Sequence, residues 1–267
     1  MKYIIMPSRH GEKEINICNN IKAKLELLNQ EAIIDEIYDD LKDTKAIIAV
    51  GGDGSIIRFA KLATKLNLPV LGVNCGRLAF NAAIENNELD LLEKLVNGEF
   101  YLENRLMLKI EGSDTDGNHF EDYCLNDCII TNEEKQRLSE IDVYFNNNKL
   151  NSYLCDAIII ATPTGSTAYS LSAGGPVVEP NLENIVFTPV CPHSLFNRSI
   201  IFKKDTVFSI GTEEGKRLCV SSDGNAPRII ASPENISVTC APFYARFIKL
   251  KPDSFIDILY SKLQTGR

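Results

Sequence analysis

The sequence predicts two domains: a doubly wound α/β domain at residues 1–98, followed by an antiparallel β-rich domain at residues 99–267. Strand-like and helix-like patterns alternate through the first hundred residues, which is typical of parallel strands joined by crossover helices. Beyond residue 98 the pattern changes to short apolar runs bounded by turn residues, which indicates antiparallel strands. The last residues could pack back on the first domain.

In the first domain, residues 3–6, 32–37, 45–50 and 69–74 are short apolar segments that predict four strands. Apolar residues at helical spacing between Ile15 and Leu28 predict the first helix. Residues 56–66 predict a second helix. A third covers residues 89–96 and ends at Asn97-Gly98, a common helix stop.

The second domain is predicted from turn-bounded apolar runs. Residues 101–131 hold two strand candidates separated by a polar turn at residues 112–118. Residues 141–145 and 150–154 flank three asparagines and predict a hairpin. The remaining strand candidates are residues 157–161, 185–190, 199–202, 207–210, 218–221, 236–240 and 247–250.

Composition excludes several classes of function. The chain has 267 residues, of which 44% are hydrophobic and 24% charged, an ordinary globular balance. Its formal net charge of −8 argues against nucleic-acid binding, which needs a surplus of Lys and Arg. No apolar run is long enough to span a bilayer and the N-terminus lacks the pattern of a signal peptide, so we expect a cytoplasmic protein without membrane contact.

The eight cysteines are expected to be buried free thiols, because they lie in apolar runs without a secretory signal. No Cys-x-x-Cys pair is present and the three histidines are scattered, so a structural zinc site is not expected.

The segment GGDG at residues 51–54 is the first motif that points to chemistry. It follows a predicted strand and precedes a helix, a position where ligands bind in parallel sheets. Glycines there let backbone N–H groups approach phosphate oxygens. A carboxylate among them, Asp53, suits a general base or a Mg²⁺ ligand. The alternative is a tight turn in which Asp53 caps the helix.

The segment TPTGSTAYSLSAGGP at residues 162–176 is the second motif. Its hydroxyl groups at Thr164, Ser166, Thr167 and Ser172 could meet ribose hydroxyls or phosphates, and Tyr169 could stack on a base. Asp156, just before the preceding strand, adds a carboxylate. The alternative is a helix start capped by Ser or Thr.

These motifs together resemble those of the NAD kinase family, whose members depend on ATP or polyphosphate. Further segments match family patterns from about residue 45 to about residue 225. They are LGVNCGRLAF at 71–80, Asn126-Asp127, PHSL at 192–195 with Arg198, and Ser222-Asp223-Gly224. GGDG is shared with lipid, sphingosine and phosphofructo-type kinases, whereas the second motif is far more specific.

The resemblance implies a set of roles. Asp53 would be the general base that takes the proton from the adenosine ribose 2′-hydroxyl of NAD. Gly51, Gly52 and Gly54 would frame the phosphates, and Phe80 would lie against the adenine. The other implied NAD-pocket residues, between the two domains, are Asn126, Asp127, Asp156, Thr164, Thr167, Ala168, Tyr169, Ser170, Leu171 and Ser172.

The resemblance also implies Mg²⁺ with ATP, or polyphosphate, as the donor system, and a homodimer or homotetramer. Four positions depart from the family pattern: Ala79 and Ala157 replace glycines, Asp127 is shorter than the usual Glu, and Leu154 replaces an Arg.

Two alternative functions stay open at this point: a lipid or sphingoid kinase sharing GGDG, and a catalytically silent NAD-binding sensor. Three further residues have both a ligand-binding and a structural interpretation. Asp223 is either a Mg²⁺ ligand or a turn residue, and His193 is favoured as a turn residue that supports its loop. Arg198 is favoured as a structural ion-pair or carbonyl donor over a catalytic group.

Overall fold

The computed structural model describes residues 2–35, 41, 43–76, 79–134, 140–231, 236–252 and 255–264. The strands are, in chain order, β1 (Lys2–Pro7), β2 (Glu31–Ile34), β3 (Thr44–Gly51), β4 (Val70–Asn74), β5 (Ile84–Glu85), β6 (Tyr101–Ser113), β7 (His119–Cys124), β8 (Asp127–Asn132), β9 (Glu140–Phe145), β10 (Asn148–Leu154), β11 (Ala157–Ala161), β12 (Asn184–Val190), β13 (Ile200–Lys203), β14 (Phe208–Thr212), β15 (Arg217–Ser222), β16 (Arg228–Ala231) and β17 (Ile236–Lys249). The helices are α1 (Glu12–Leu27), α2 (Asp53–Lys65), α3 (Leu92–Asn97), α4 (Tyr169–Ser172) and α5 (Phe255–Gln264), with 3₁₀ turns at Leu89–Leu91 and Thr164–Thr167.

The chain forms two compact units. Unit 1 contains Met1–Asn104 and Ala245–Arg267, and unit 2 contains Arg105–Tyr244. This division differs from the predicted one at residues 98 and 99, because the start of β6 and the end of β17 stay with unit 1. There the ammonium group of Lys249 lies 3.8 Å from a carboxylate oxygen of Glu103, with both side chains largely buried.

Unit 1 is built on a parallel sheet with helices on both faces. β4, β3, β1 and β2 are neighbours in that order, and each pairing is parallel. Ile21 of α1 shares a hydrophobic core with Ile48 and Leu71. Strand residues alternate between the two faces, so a side chain at residue 72 would lie on the opposite face of the sheet from Leu71. There, Ile56 of α2 comes within 3.1 Å of the position that a Cβ on Gly72 would take.

Unit 2 contains two antiparallel sheets that share one core. Six strands pair in the order β13-β12-β11-β8-β15-β16. β9, β10, β14 and the first part of β17 form antiparallel pairs in the other sheet. Phe187 from the first sheet stacks on Phe208 from the second, with ring centroids 6.1 Å apart. Side chains of both sheets therefore fill the space between them.

The structure corrects three details of the predicted strands. Residues 101–131 lie in three strands, β6, β7 and β8, where the pattern predicted two. The runs 236–240 and 247–249 belong to one continuous strand, β17, because residues 241–246 between them are also extended. β5, β16 and the helix α5 were not predicted. Of the candidate strand 32–37, residues 36 and 37 lie outside the described residues.

All eight cysteines are free thiols, and five are buried. Cys191 is exposed and Cys219 and Cys240 are half-buried, so the expectation of burial is wrong for these three. Within the described residues, no helix is both long and apolar enough to cross a membrane.

The aromatic core of unit 2 predicts that removing one ring lowers the stability of the protein strongly. Phe187 is fully buried and also contacts Tyr153, with ring centroids 5.5 Å apart. We expect Phe187→Ala to lower the free energy of unfolding by about 3–5 kcal/mol, measured by urea denaturation with far-UV circular dichroism. Phe196→Ala, at a side chain that is 48% exposed, is the control and should change it by less than about 1 kcal/mol. Equal losses in both variants would contradict the packing of this core.

Candidate functional site

The GGDG loop joins a buried strand to a helix at the carboxyl edge of the parallel sheet. β3 ends at Gly51 and α2 begins at Asp53. Ser8 continues the neighbouring strand β1, and its N–H donates to the carbonyl oxygen of Val50 at 2.8 Å. A Cβ on Gly51 would lie 2.8 Å from the Cβ atoms of Ser8 and Ser55, so only glycine fits there.

Gly52 and Gly54 have open space around them. Both are exposed, and a Cβ on either would meet nothing within 4 Å. Packing therefore does not require glycine at these two positions. Small residues here instead leave the backbone at the start of α2 accessible to a ligand, which is the arrangement that binds phosphate groups.

Asp53 is the first residue of α2 and does not cap it. The N-cap residue is Gly52, and no side chain makes a capping hydrogen bond there. The structure thus disagrees with the alternative in which Asp53 serves as the helix cap. The half-buried Asp53 carboxylate instead accepts hydrogen bonds on Oδ1 from the backbone N–H of Asn81, at 2.8 Å, and from its side-chain amide, at 3.1 Å.

Asn81 reaches Asp53 because the segment after β4 folds back against that strand. The N–H of Ala83 donates to the carbonyl oxygen of Gly72 at 2.8 Å. A Cβ on Gly72 would lie only 2.7 Å from the carbonyl oxygen of Asn81, so this close approach requires glycine at residue 72. Phe80, the predicted adenine contact, is half-buried in the same segment, and residues 77 and 78 lie outside the described residues.

In unit 2, Asp223 organises the turn that carries Asn126 and Asp127. Its Oδ1 accepts the N–H groups of Asn126, at 2.7 Å, and Asp127, at 3.3 Å, while Oδ2 accepts that of Leu125 at 3.0 Å. Its own N–H donates to the carbonyl oxygen of Asp127 at 3.0 Å. Of the two interpretations of Asp223, these contacts support the structural one. The role could not be inferred from sequence because residues 125 and 223 are far apart along the chain.

Asp127 is a buried carboxyl group, with 4% of its surface exposed. Burial raises its pKa from 3.8 to about 7, and the nearby negative charge of Asp223 adds to the shift. Near neutral pH this group therefore exists in both protonation states, so it can donate as well as accept a hydrogen bond.

The second motif packs directly against this turn. The Thr162 hydroxyl donates to the carbonyl oxygen of Leu125 at 2.5 Å and accepts the N–H of Gly165 at 3.0 Å. The N–H of Thr162 donates to the carbonyl oxygen of Asn126 at 2.8 Å. A Cβ on Gly165 would lie 2.0 Å from that same carbonyl oxygen, so the contact between the two segments requires glycine. The predicted site residues of unit 2 at 126–127 and 164–167 are thus brought together.

Several hydroxyl groups of the second motif bond within the protein. The Ser166 hydroxyl accepts a hydrogen bond from the backbone N–H of Val178 at 3.0 Å, and the hydroxyls of Ser170 and Thr188 are hydrogen-bonded to each other at 3.1 Å. Buried Thr164 accepts a hydrogen bond from Arg105 at 3.3 Å. Half-buried or exposed positions are the better candidates for ligand contact. They are Thr167, Ala168, Tyr169, Leu171 and Ser172.

The other candidates in unit 2 lie on the surface. Asp156 is exposed, and its N–H donates to the carbonyl oxygen of Val190 at 3.1 Å. His193 is exposed too, and its N–H donates to the carbonyl oxygen of Leu154 at 2.8 Å. His193 therefore ties its loop to the end of β10 through its backbone. Arg198 is exposed.

Two family models match the chain. The ATP-NAD kinase N-terminal domain matches residues 10–100, and the ATP-NAD kinase C-terminal domain matches residues 125–250. The chain belongs to the NAD kinase family. The first match includes the GGDG loop, and the second includes the turn at Asn126 and the whole second motif.

Relatives within the NAD kinase family align with most of the chain. The NAD kinase of Thermoanaerobacter sp. (strain X514) is 36% identical over 275 aligned positions, an alignment that covers 97% of this chain and 97% of that protein. The NAD kinase of Caldanaerobacter subterraneus subsp. tengcongensis is 41% identical over 219 residues, covering 81% of this chain and 77% of that protein.

Two solved structures share the fold. The yeast NADH kinase complexed with NADH superposes with a TM-score of 0.84 at 20% identity, covering 99% of this chain and 88% of that one. The NAD kinase from Archaeoglobus fulgidus in complex with ATP gives a TM-score of 0.79 at 23% identity, with 99% of both chains covered. The predicted fold class, an α/β domain with an antiparallel β-rich domain, is confirmed. A lipid kinase and a silent sensor receive no support from any of these matches.

Gly165 provides a steric test of the contact between the two segments of unit 2. We expect Gly165→Ala to lower the free energy of unfolding by about 3 kcal/mol in urea denaturation, because its Cβ would overlap a backbone carbonyl oxygen. Gly54→Ala is the matched control. It lies in α2 with open space around it, so it should stabilise the protein by about 0.5–1 kcal/mol. A Gly165→Ala variant as stable as wild type would refute the contact.

The raised pKa of Asp127 predicts how stability changes with pH. The folded state binds this proton more tightly than the unfolded state does, so the contribution is complete below about pH 4 and is lost as pH rises through 7. Between pH 5 and pH 8, losing this contribution should lower the free energy of unfolding by roughly 2–3 kcal/mol.

Asp127→Asn replaces the carboxyl with a group that does not titrate, and should reduce the difference in unfolding free energy between pH 5 and pH 8 by that amount. Urea denaturation at both pH values measures it. An unchanged difference would contradict the prediction.

Proposed function

We propose that this member of the NAD kinase family transfers a phosphoryl group from ATP to the adenosine ribose 2′-hydroxyl of NAD, giving NADP, with Asp53 as the general base. One observation carries the proposed role: the Asp53 carboxylate lies in the GGDG loop, at the start of α2, and is held by two hydrogen bonds from Asn81.

A ribose hydroxyl is a weak nucleophile near neutral pH, so it benefits from a carboxylate that accepts its proton as the new O–P bond forms. General bases of this kind typically contribute 10²–10⁴-fold to the rate. Most of the remaining acceleration in phosphoryl transfer comes from alignment and charge stabilisation. The accessible backbone at Gly52 and Gly54 suits the binding of phosphate groups beside that carboxylate.

We propose that the NAD-binding residues include the turn at Asn126 and Asp127 and the exposed part of the second motif. A carboxyl with a pKa of about 7 can pair with a hydroxyl or with a ring nitrogen of the nucleotide. Tyr169, which is 44% exposed, offers an aromatic face for a base or nicotinamide ring. The yeast structure contains NADH and the archaeal structure contains ATP, which supports a nicotinamide dinucleotide and ATP as the two ligands of this chain.

The proposed cofactor is Mg²⁺, carried on the phosphates of the donor. Such ions are commonly held by one or two carboxylates together with phosphate oxygens and water. Asp53 is assigned here as the base, and both carboxylate oxygens of Asp223 already accept backbone N–H groups, so phosphate oxygens and water would supply the ligands of the ion. When bound, the ion would neutralise negative charge on the donor phosphates.

Polyphosphate as an alternative donor, and a homodimer or homotetramer, stay predictions that follow from the family. A cytoplasmic location is also proposed, and the eight free thiols support it because thiols stay reduced in that compartment.

The assay that tests the proposal is NADP formation from NAD, ATP and Mg²⁺. Asp53→Asn keeps the size of the side chain but removes the proton acceptor, so we expect kcat to fall about 10²–10⁴-fold. Calorimetric titration of NAD binding to the same variant checks that the substrate still binds.

Wild type that forms no NADP with ATP or polyphosphate would overturn the proposed reaction. NAD binding without turnover would then favour the sensor, and label transfer from ATP to diacylglycerol the lipid kinase. An Asp53→Asn variant with full activity would overturn only the role of the base.

A further inference from the structure

We propose that Asn81 is a positioning residue for the base, in that its two N–H donors fix the Asp53 carboxylate in the orientation that accepts the substrate proton. The inference rests on the proposed function, because it assigns Asn81 a role only if Asp53 acts as the base.

The two donors of Asn81 converge on a single atom. Its backbone N–H and its side-chain amide both reach Oδ1 of Asp53, at 2.8 and 3.1 Å. One such bond would still allow the carboxylate to turn about the donor. Two bonds from different directions restrict rotation about the Cβ–Cγ bond and define where Oδ2 lies.

The donors themselves are fixed by packing. Asn81 is 5% exposed, and its neighbours Ala82 and Ala83 are buried as well. Its carbonyl oxygen lies against the bare α-carbon of Gly72, and the next residues are tied to β4 through the bond from Ala83 to Gly72. The position of Asn81 on the parallel sheet therefore determines the orientation of the Asp53 carboxylate. A rigid support of this kind is what a catalytic group needs to stay within hydrogen-bond reach of its substrate.

The role predicts an effect on turnover with little effect on substrate affinity. A hydrogen bond to a charged group is typically worth about 1.5–3 kcal/mol, which corresponds to roughly 10- to 100-fold in rate if it is lost only in the transition state. We therefore expect Asn81→Leu, which keeps the volume but removes the amide donor, to lower kcat by that factor and to leave KM for NAD within about twofold.

A double-mutant cycle separates positioning from a general structural role. In the Asp53→Asn background there is no base to orient, so adding Asn81→Leu should not lower the residual rate further. Exposed Asn20 of α1 supplies the control, because Asn20→Leu should leave kcat unchanged. Thermal unfolding of each variant is measured alongside.

Asn81→Asp is the second variant, nearly identical in shape to wild type and available if Asn81→Leu folds poorly. It places a carboxylate against Oδ1 of Asp53, and two adjacent carboxylates repel each other when both are ionised. The acidic limb of its kcat profile should therefore move to higher pH. A change in thermal stability alone would not cause this displacement.

The outcomes distinguish the two proposals. If Asp53→Asn keeps full activity, the base assignment fails. If Asp53→Asn loses activity while Asn81→Leu keeps wild-type kcat, or if the two substitutions lower the rate independently in the cycle, the positioning role fails and the base stands. An Asn81→Asp profile identical to that of wild type would likewise overturn it.

Discussion

The arrangement around Asp53 depends on the absence of a side chain at residue 72. A Cβ there would come within 2.7 Å of the Asn81 carbonyl oxygen and 3.0 Å of the Ala82 α-carbon. Both contacts are with backbone atoms, which cannot move aside as a flexible side chain can. Without glycine at this point of β4, the following segment would have to lift off the sheet, and the two donors of Asn81 would leave the carboxylate.

The same constraint operates in unit 2 with different chemistry. Gly165 lets the second motif lie against the Asn126 carbonyl oxygen, while Asp223 accepts three successive backbone N–H groups of that turn. A bare α-carbon and a set of hydrogen bonds again hold a predicted ligand-binding segment. Burial here also has an electrostatic consequence, because the raised pKa of Asp127 follows from removing its carboxyl from water close to the charge of Asp223.

Local patterns predicted the parallel sheet of unit 1 because buried strands and amphipathic helices alternate there with clear periodicity. The loop with Asp53 could also be predicted, since glycines that follow an apolar strand mark a ligand-binding edge. The partners of the site could not be predicted in this way. Asn81 stands 28 positions from Asp53, and Asp223 stands 97 positions from Asn126. Tertiary folding brings each pair together, and no short-range pattern records it.

The second motif shows why a specific sequence is not a direct list of ligand contacts. Its hydroxyl residues suggested a surface rich in donors and acceptors, yet Thr162, Ser166 and Ser170 are buried and bond within unit 2. Thr162 and Ser166 bond backbone groups, and Ser170 bonds the hydroxyl of Thr188, so these side chains hold the turn after β11 in place. The specificity of the motif thus combines two requirements. Its buried hydroxyl groups let the backbone make the turn, and the turn exposes the neighbouring residues, such as Tyr169, that remain available to a ligand.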